Sequence, residues 1–273
     1  MSDNSAAPLG AVLAAFAALY VIWGSTYLGI RFAIETIPPF TMAGARFLCA
    51  GALIFGWARA RGAVPATLPQ WQTAAVVGAL LLLGGNGAVT WAEQRIPSGI
   101  AALLVASTPM WMVVLDALRP GGERPRPAVI AGLALGLVGT VLLVGPGDLG
   151  GAPVDVVGAL AVAGGAFCWA VGSVYQHGAP QADSTLLNVR MQMLAGGALL
   201  LLVGVALGER VDAGGVSTRS ALALTYLVVV GYSAYVWLLK VSTPARVSTY
   251  AYVNPVVPSS SGGRWRTSRW GRA

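Results

Sequence analysis

The sequence predicts an all-α protein, a polytopic transmembrane helix bundle of two inverted five-helix repeats. Three observations carry this prediction. Of 273 residues, 56% are hydrophobic and only 10% are Asp, Glu, Lys or Arg, against about 25% charged in a soluble domain. The apolar residues fall in continuous runs of roughly 20, the length of helix that crosses the hydrocarbon core, whereas a membrane β-barrel would alternate. A single offset of 146 positions lays landmarks of the second half on the first.

The spans follow in order. The first is about Pro8–Ile30; Asp3 precedes it with no Lys or Arg, so it lacks the basic start of a cleaved signal and is expected to stay in the mature chain. The second, Pro39–Ala58, begins after the Pro38-Pro39 punctuation. The third, Trp71–Gln94, and the fourth, Ser98–Leu118, are separated only by Arg95, Ile96 and Pro97. The fifth, Pro127–Val144, is closed by Gly145-Pro146-Gly147. Pro153–Tyr175, Thr185–Leu207 and Ala221–Leu239 form the sixth to eighth, and a ninth starts near Ala245. The connections leave no room for a soluble domain. Cys49 and Cys168 lie within apolar runs and read as buried thiols, with no disulfide or metal pattern.

The net charge of +7 suggests nucleic acid at first sight, but its distribution says otherwise. Arg264, Arg266, Arg269 and Arg272 sit in the last ten positions, and without Pro258–Ala273 thirteen basic residues face ten acidic ones. With a cytoplasmic N-terminus, Arg59, Arg61, Arg119, Arg124, Arg126, Lys240 and Arg246 lie at inner ends, against Arg31, Arg95, Arg210 and Arg219 at outer ends. The excess of inner arginine and lysine favours that orientation. The expected partners are the lipid bilayer and a small molecule, with no nucleic acid.

The offset of 146 places Trp23 on Trp169, Gly85 on Gly231, Trp91 on Trp237 and Pro109 on Pro255. Trp and Pro are scarce enough for these matches to indicate duplication. A first repeat of five spans makes the second enter the membrane upside down, an architecture of secondary transporters whose substrate site lies between the repeats. The expected units are 10–145 and 153–257, the second incomplete, followed by a basic tail, 258–273, that reads as a truncated or frame-shifted end.

Arg46 lies seven residues inside the second span, about 10 Å deep by helix rise. A charge at that depth faces the bundle interior or a water-filled cavity; attraction of an anionic group and a structural pair with Glu93 are both open. Glu93, at the end of the third span, could carry a coupling proton or cap the interface. Pro109 and Pro255 each remove a backbone N–H and free a carbonyl one turn back, available to a substrate or simply packed. Asn254 adds a side-chain amide. Trp23, Trp91, Trp169, Tyr235 and Tyr250 could stack on a flat or cationic substrate, or pack the core. Gly132-x-x-x-Gly136 suits close helix approach. There is no GxxxxGK[ST] loop for ATP, no HExxH, no GxSxG and one histidine. An enzyme is therefore not expected, nor a metal or other cofactor.

Several of these residues form a recognisable set: Trp23-Gly24-Ser25-Thr26-Tyr27, Trp91-Ala92-Glu93-Gln94 with Ser98-Gly99-Ile100-Ala101-Ala102-Leu103-Leu104, Ser107-Thr108-Pro109-Met110-Trp111, and Tyr250-Ala251-Tyr252-Val253-Asn254-Pro255. Over about residues 10–257 the chain resembles the EamA family of the drug/metabolite transporter superfamily, closest to its drug and amino-acid-metabolite exporters. The resemblance implies a bacterial inner-membrane carrier of ten helices that exports small metabolites, amino acids or drugs by alternating access. It also draws Ser25 into the candidate site. The family continues past the asparagine-proline motif into a further span, which is absent here; the alternative is a non-transporting remnant of such a carrier.

Overall fold

The computed structural model describes residues 25–60, 65–119, 125–150, 155–182 and 184–241. Trp23, Tyr250, Asn254, Pro255, the ninth span and the tail lie outside the described residues. Within them the chain is helical with no strand. Helix α1 is seen over 25–33, followed by α2 (Pro39–Ala60) and α3 (Leu68–Gly78). From α3 the chain continues as a π-helical stretch, Ala79–Gly87, into α4 (Ala88–Ala92). Then come α5 (Ser98–Val105), α6 (Thr108–Leu118), α7 (Pro127–Gly150), α8 (Val156–Gly178), α9 (Thr185–Ala206) and α10 (Thr218–Val241). Five segments are long and apolar enough to cross a membrane: Pro39–Gly56, Leu68–Ala92, Ser98–Leu118, Val156–Gly178 and Leu187–Ala206.

Local chemistry accounts for several boundaries. The Gln70 side chain accepts the Thr67 amide at 2.9 Å, and Pro69 occupies the first turn of α3, where its missing N–H costs nothing. Asp155 caps α8 by accepting the Gly158 amide at 2.7 Å and also meets Arg95 at 3.5 Å. Glu209, in the loop after α9, accepts the Phe40 and Thr41 amides at 3.0 and 2.7 Å and the Thr41 hydroxyl at 2.7 Å. A carboxylate at the amino end of α2 complements its exposed N–H groups and dipole.

Small residues set the packing. Helix α2 runs antiparallel along α9: Thr41 faces Gly204, Gly44 faces Gly197, and Gly51 faces Leu194 and Met193. A Cβ at Gly44 would stand 2.9 Å from the Gly197 carbonyl oxygen. Gly78 of α3 meets Gly196 of α9 just as closely, and Gly85 receives the ring of Trp169 from α8. Gly84 and Gly85 also bring their carbonyls against Gly165. In lipid the burial of apolar surface does not drive helices together, so contact of this kind must do so.

Several sequence expectations are corrected. Helix α7 does not stop at Gly145-Pro146-Gly147 but extends to Gly150, since lipid leaves a chain few alternatives to helix. The fourth span is interrupted at Ala106-Ser107, between α5 and α6. Cys49 is exposed on the bundle perimeter and Cys168 is half-buried, because an apolar side chain can face lipid as readily as a core. A Cβ at Gly132 would meet nothing within 4 Å, so that position is not used against the described helices.

Replacing Gly196 by Leu is expected to force α9 away from α3, costing about 1–3 kcal/mol or more. Gly132→Leu enters open space and should leave stability unchanged. Thermal unfolding of the detergent-solubilised variants checks both.

Candidate functional site

Arg46, Asn86, Glu93 and Ser98 lie on α2, the π-helical stretch, the end of α4 and the start of α5. Arg46, on the second turn of α2, donates from Nη2 to Asn86 Oδ1 at 3.1 Å. Its guanidinium lies 4.3 Å from the centroid of the Phe47 ring. Its other terminal nitrogen, Nη1, is buried and has no hydrogen-bond partner among the described residues. Asn86 comes from the Gly84-Gly85-Asn86-Gly87 run, where the wide π turn and the close approach of α8 bring the third span against α2.

Glu93 follows α4 directly and is only 5% exposed. Both of its carboxylate oxygens lack a hydrogen-bond partner among the described residues. Arg31 and Arg46 act on it electrostatically. The Ser98 hydroxyl, at the first turn of α5, sits beside the carboxylate without the alignment of a hydrogen bond. Ala92, Ile96 and Ile100 pack with Tyr27 and Val162 into the apolar cluster around this corner. Arg46 and Glu93 are thus within each other's field but not ion-paired. Unmade hydrogen bonds at buried charged atoms are costly, and native proteins keep few of them.

The other candidates distribute around this centre. Ser25 hydrogen-bonds Tyr226 of α10 at 2.5 Å, tying the first span to the eighth. Trp91 packs against the apolar cluster, with the Arg95 guanidinium 4.4 Å from its ring centroid, and so lies on a different face from Glu93. Trp169 fills the notch at Gly85, behind Asn86. Pro109 stands in the first turn of α6, and the carbonyl of Val105 that it deprives of an amide accepts the Thr108 hydroxyl at 2.6 Å. Ser107 does the same for Leu104, at 2.6 Å. The freed carbonyls are therefore engaged locally. Tyr235 lies on the last part of α10.

The sequence reading passed over Asn86, Tyr226 and Arg190. Arg190 is 2% exposed within α9, 5.1 Å from the Phe55 ring centroid. A charge five residues inside an apolar run was the available signal, the same one that marked Arg46. Asn86 gave no such signal, since one amide among glycines is unremarkable until α2 is packed against it.

The family model described as the EamA-like transporter family matches residues 8–145 and 156–259. The chain is 40% identical over 245 residues to the uncharacterized inner membrane transporter YedA of Escherichia coli K12, covering 88% of this chain and 78% of that protein. It is 35% identical over 176 residues to the aromatic amino acid exporter YddG of Ancylobacter novellus, covering 64% and 58%. A probable amino-acid metabolite efflux pump of Escherichia coli K12 is 26% identical over 264 residues, covering 88% and 82%. A crystal structure superposes with a TM-score of 0.67 at 28% identity, covering 91% of this chain and 86% of that one.

The unmade bonds of the site give a stability prediction. Glu93→Gln removes a buried carboxyl group whose two oxygens have no hydrogen-bond partner among the described residues, and is expected to stabilise the solubilised protein by about 1–3 kcal/mol. Asn86→Ala strips Arg46 of its acceptor and should destabilise by a similar amount. Thermal melts in detergent decide; a destabilising Glu93→Gln would make the carboxylate a structural element.

Proposed function

The chain belongs to the EamA-like transporter family and is a multi-pass inner-membrane transporter; on that premise we propose that it exports small metabolites, amino acids among them, by alternating access. The two moving halves are residues 10–145 and 153–257, related by the offset of 146. The family model's match to residues 8–145 and 156–259 supports this division. So does the antiparallel run of α2 along α9, which the same offset relates and whose glycine contact forms the seam between the halves.

The observation that carries the reading is the set of buried polar atoms, Arg46 Nη1 and both Glu93 oxygens, that have no hydrogen-bond partner among the described residues between α2, α4 and α5. A charged side chain within a membrane span is costly, up to about 2.5–3.5 kcal/mol at the helix centre on insertion scales. The fold gains nothing in return while the hydrogen bonds stay unmade, so the cost is consistent with a cavity that a solute fills. Glu93 is the coupling site: its carboxylate loads a proton on one side of the membrane and releases it on the other. Arg46 faces the solute. Ser25, Trp91, Trp169 and Pro109 are proposed to line or brace the path around this pair; Tyr235, Trp23, Tyr250, Asn254 and Pro255 are candidates for the same role on the sequence reading alone. No chemical step on the solute is involved. The names of two relatives, an aromatic amino acid exporter and a probable amino-acid metabolite efflux pump, support amino acids or their derivatives as cargo. The N-terminus is cytoplasmic, which puts Glu93 at the outer end.

Two measurements test this. In proteoliposomes loaded with a bacterial metabolite extract, an imposed pH gradient is expected to move a subset of solutes, read by mass spectrometry. Glu93→Gln should abolish the gradient dependence and Arg46→Gln should cut flux by tenfold or more; gradient dependence that survives in Glu93→Gln rules out proton carriage there. In intact cells, Glu35→Cys in a background lacking Cys49 and Cys168 should react with a membrane-impermeant thiol reagent and Gln70→Cys should not. The reverse labelling would invert the orientation.

A further inference from the structure

Four buried polar atoms at this corner lack partners among the described residues: Arg46 Nη1, both carboxylate oxygens of Glu93, and Ser98 Oγ. They are not interchangeable. Arg46 can only donate and an ionised Glu93 can only accept, while Ser98 does either. Each class of solute leaves a different remainder. An apolar solute would leave all four orphaned, an anion would be drawn by Arg46 and repelled by Glu93, and a cation the reverse. Only a solute with both charges satisfies the two ends together.

The spacing adds a constraint. Asn86 and Glu93 are seven residues apart, which on a helix is about two turns, near 10 Å along the axis on almost the same face. Asn86 holds the Arg46 guanidinium at its own level by the 3.1 Å bond to Nη2, with Nη1 left over. The opposite charges feel each other but do not close into an ion pair. Opposite charges held apart in this way match a solute whose two charges flank one carbon, separated by two bonds of about 1.5 Å each. Its hydrogen bonds, each about 2.9 Å long, would bridge the rest.

We infer that Arg46, Glu93 and Ser98 form a zwitterion clamp for an α-amino acid, with its carboxylate on Arg46 Nη1 and its ammonium on Glu93 and Ser98. Asn86 is a positioning residue that turns the guanidinium toward the carboxylate. The inference rests on the transport reading and gives it a defined orientation of the cargo. The deprotonated carboxylate of Glu93 is the form that holds the ammonium.

The test uses the full chain in proteoliposomes, with each of the twenty amino acids as a labelled probe. The amino acid that moves fastest is then compared with its carboxamide and its N-acetyl derivative, which each lack one charge. Wild-type protein is expected to move the parent at least tenfold faster than either derivative, a comparison that needs no variant. Arg46→Gln should slow the parent tenfold or more and leave the carboxamide unchanged. Glu93→Gln, measured as exchange without a pH gradient, should erase the preference for the parent over the N-acetyl derivative. Asn86→Ala should raise KM for the parent severalfold, with no change for the carboxamide. The clamp is overturned if derivatives move as fast as the parent. It is also overturned if no amino acid moves while another solute from the metabolite extract does. If nothing in the extract moves at all, the transport reading itself fails.

Discussion

Close approach of glycine-bearing helix faces is the constraint from which the rest of this structure follows. In a bilayer the solvent is as apolar as the side chains, so helices associate where small residues let backbones touch. Gly44 against Gly197, Gly78 against Gly196, and Gly84 with Gly85 against Gly165 place α2, the third span, α8 and α9 in one bundle. Once α2 and the third span are fixed by these neighbours, Arg46 has no choice but to meet Asn86. The site is a consequence of the packing, and a side chain added at any of these glycines would disturb it from a distance.

Electrostatics then works against the scaffold. The same bundle that satisfies its helix ends with care, as where Glu209 takes two amides and a hydroxyl at the start of α2, leaves Arg46 Nη1 and both Glu93 oxygens without partners among the described residues. Orphaned polar atoms gathered in one corner are the basis on which we place the candidate site there, since natural folds concede stability mainly where function requires it. Arg95 with Asp155 and Arg119 with Asp116 show the contrast: these pairs are half-exposed at helix ends and contribute little.

Much of this was readable without coordinates. Pro38-Pro39 marked the start of α2, the depth of Arg46 in an apolar run marked it because charge is so rare there, and Glu93 was marked as a carboxylate at the end of the third span. Other features depend on packing that periodicity does not encode. A run of Leu and Gly looks the same whether it winds as α or π helix, so the widened stretch at Ala79–Gly87 left no trace. Polarity also fails as a guide to burial in lipid, which is why Cys49 was placed inside and stands outside. The engagement of the carbonyls before Pro109 was legible in principle: Ser107 and Thr108 are the residues able to bond back to their own turn.

The proposed duplication and the proposed site have different symmetry, and the difference is informative. Shifted by 146, structural landmarks find equivalents: Trp23 and Trp169, Gly85 and Gly231, Gly51 and Gly197. The four residues of the proposed clamp do not. Arg46 falls on Gln192, Asn86 on Tyr232, Glu93 on Leu239 and Ser98 on Pro244. Packing of two inverted halves needs matched contacts in both, because each half must offer the other a face it can approach. Recognition of one solute needs each charge only once, and a second copy would add another uncompensated burial cost of several kcal/mol per ion. A duplicated scaffold that carries the clamp charges in one half only therefore fits the single asymmetric solute proposed above. Alternating access then comes from exchanging the conformations of the halves around one fixed set of contacts, without passing cargo between two equivalent sites.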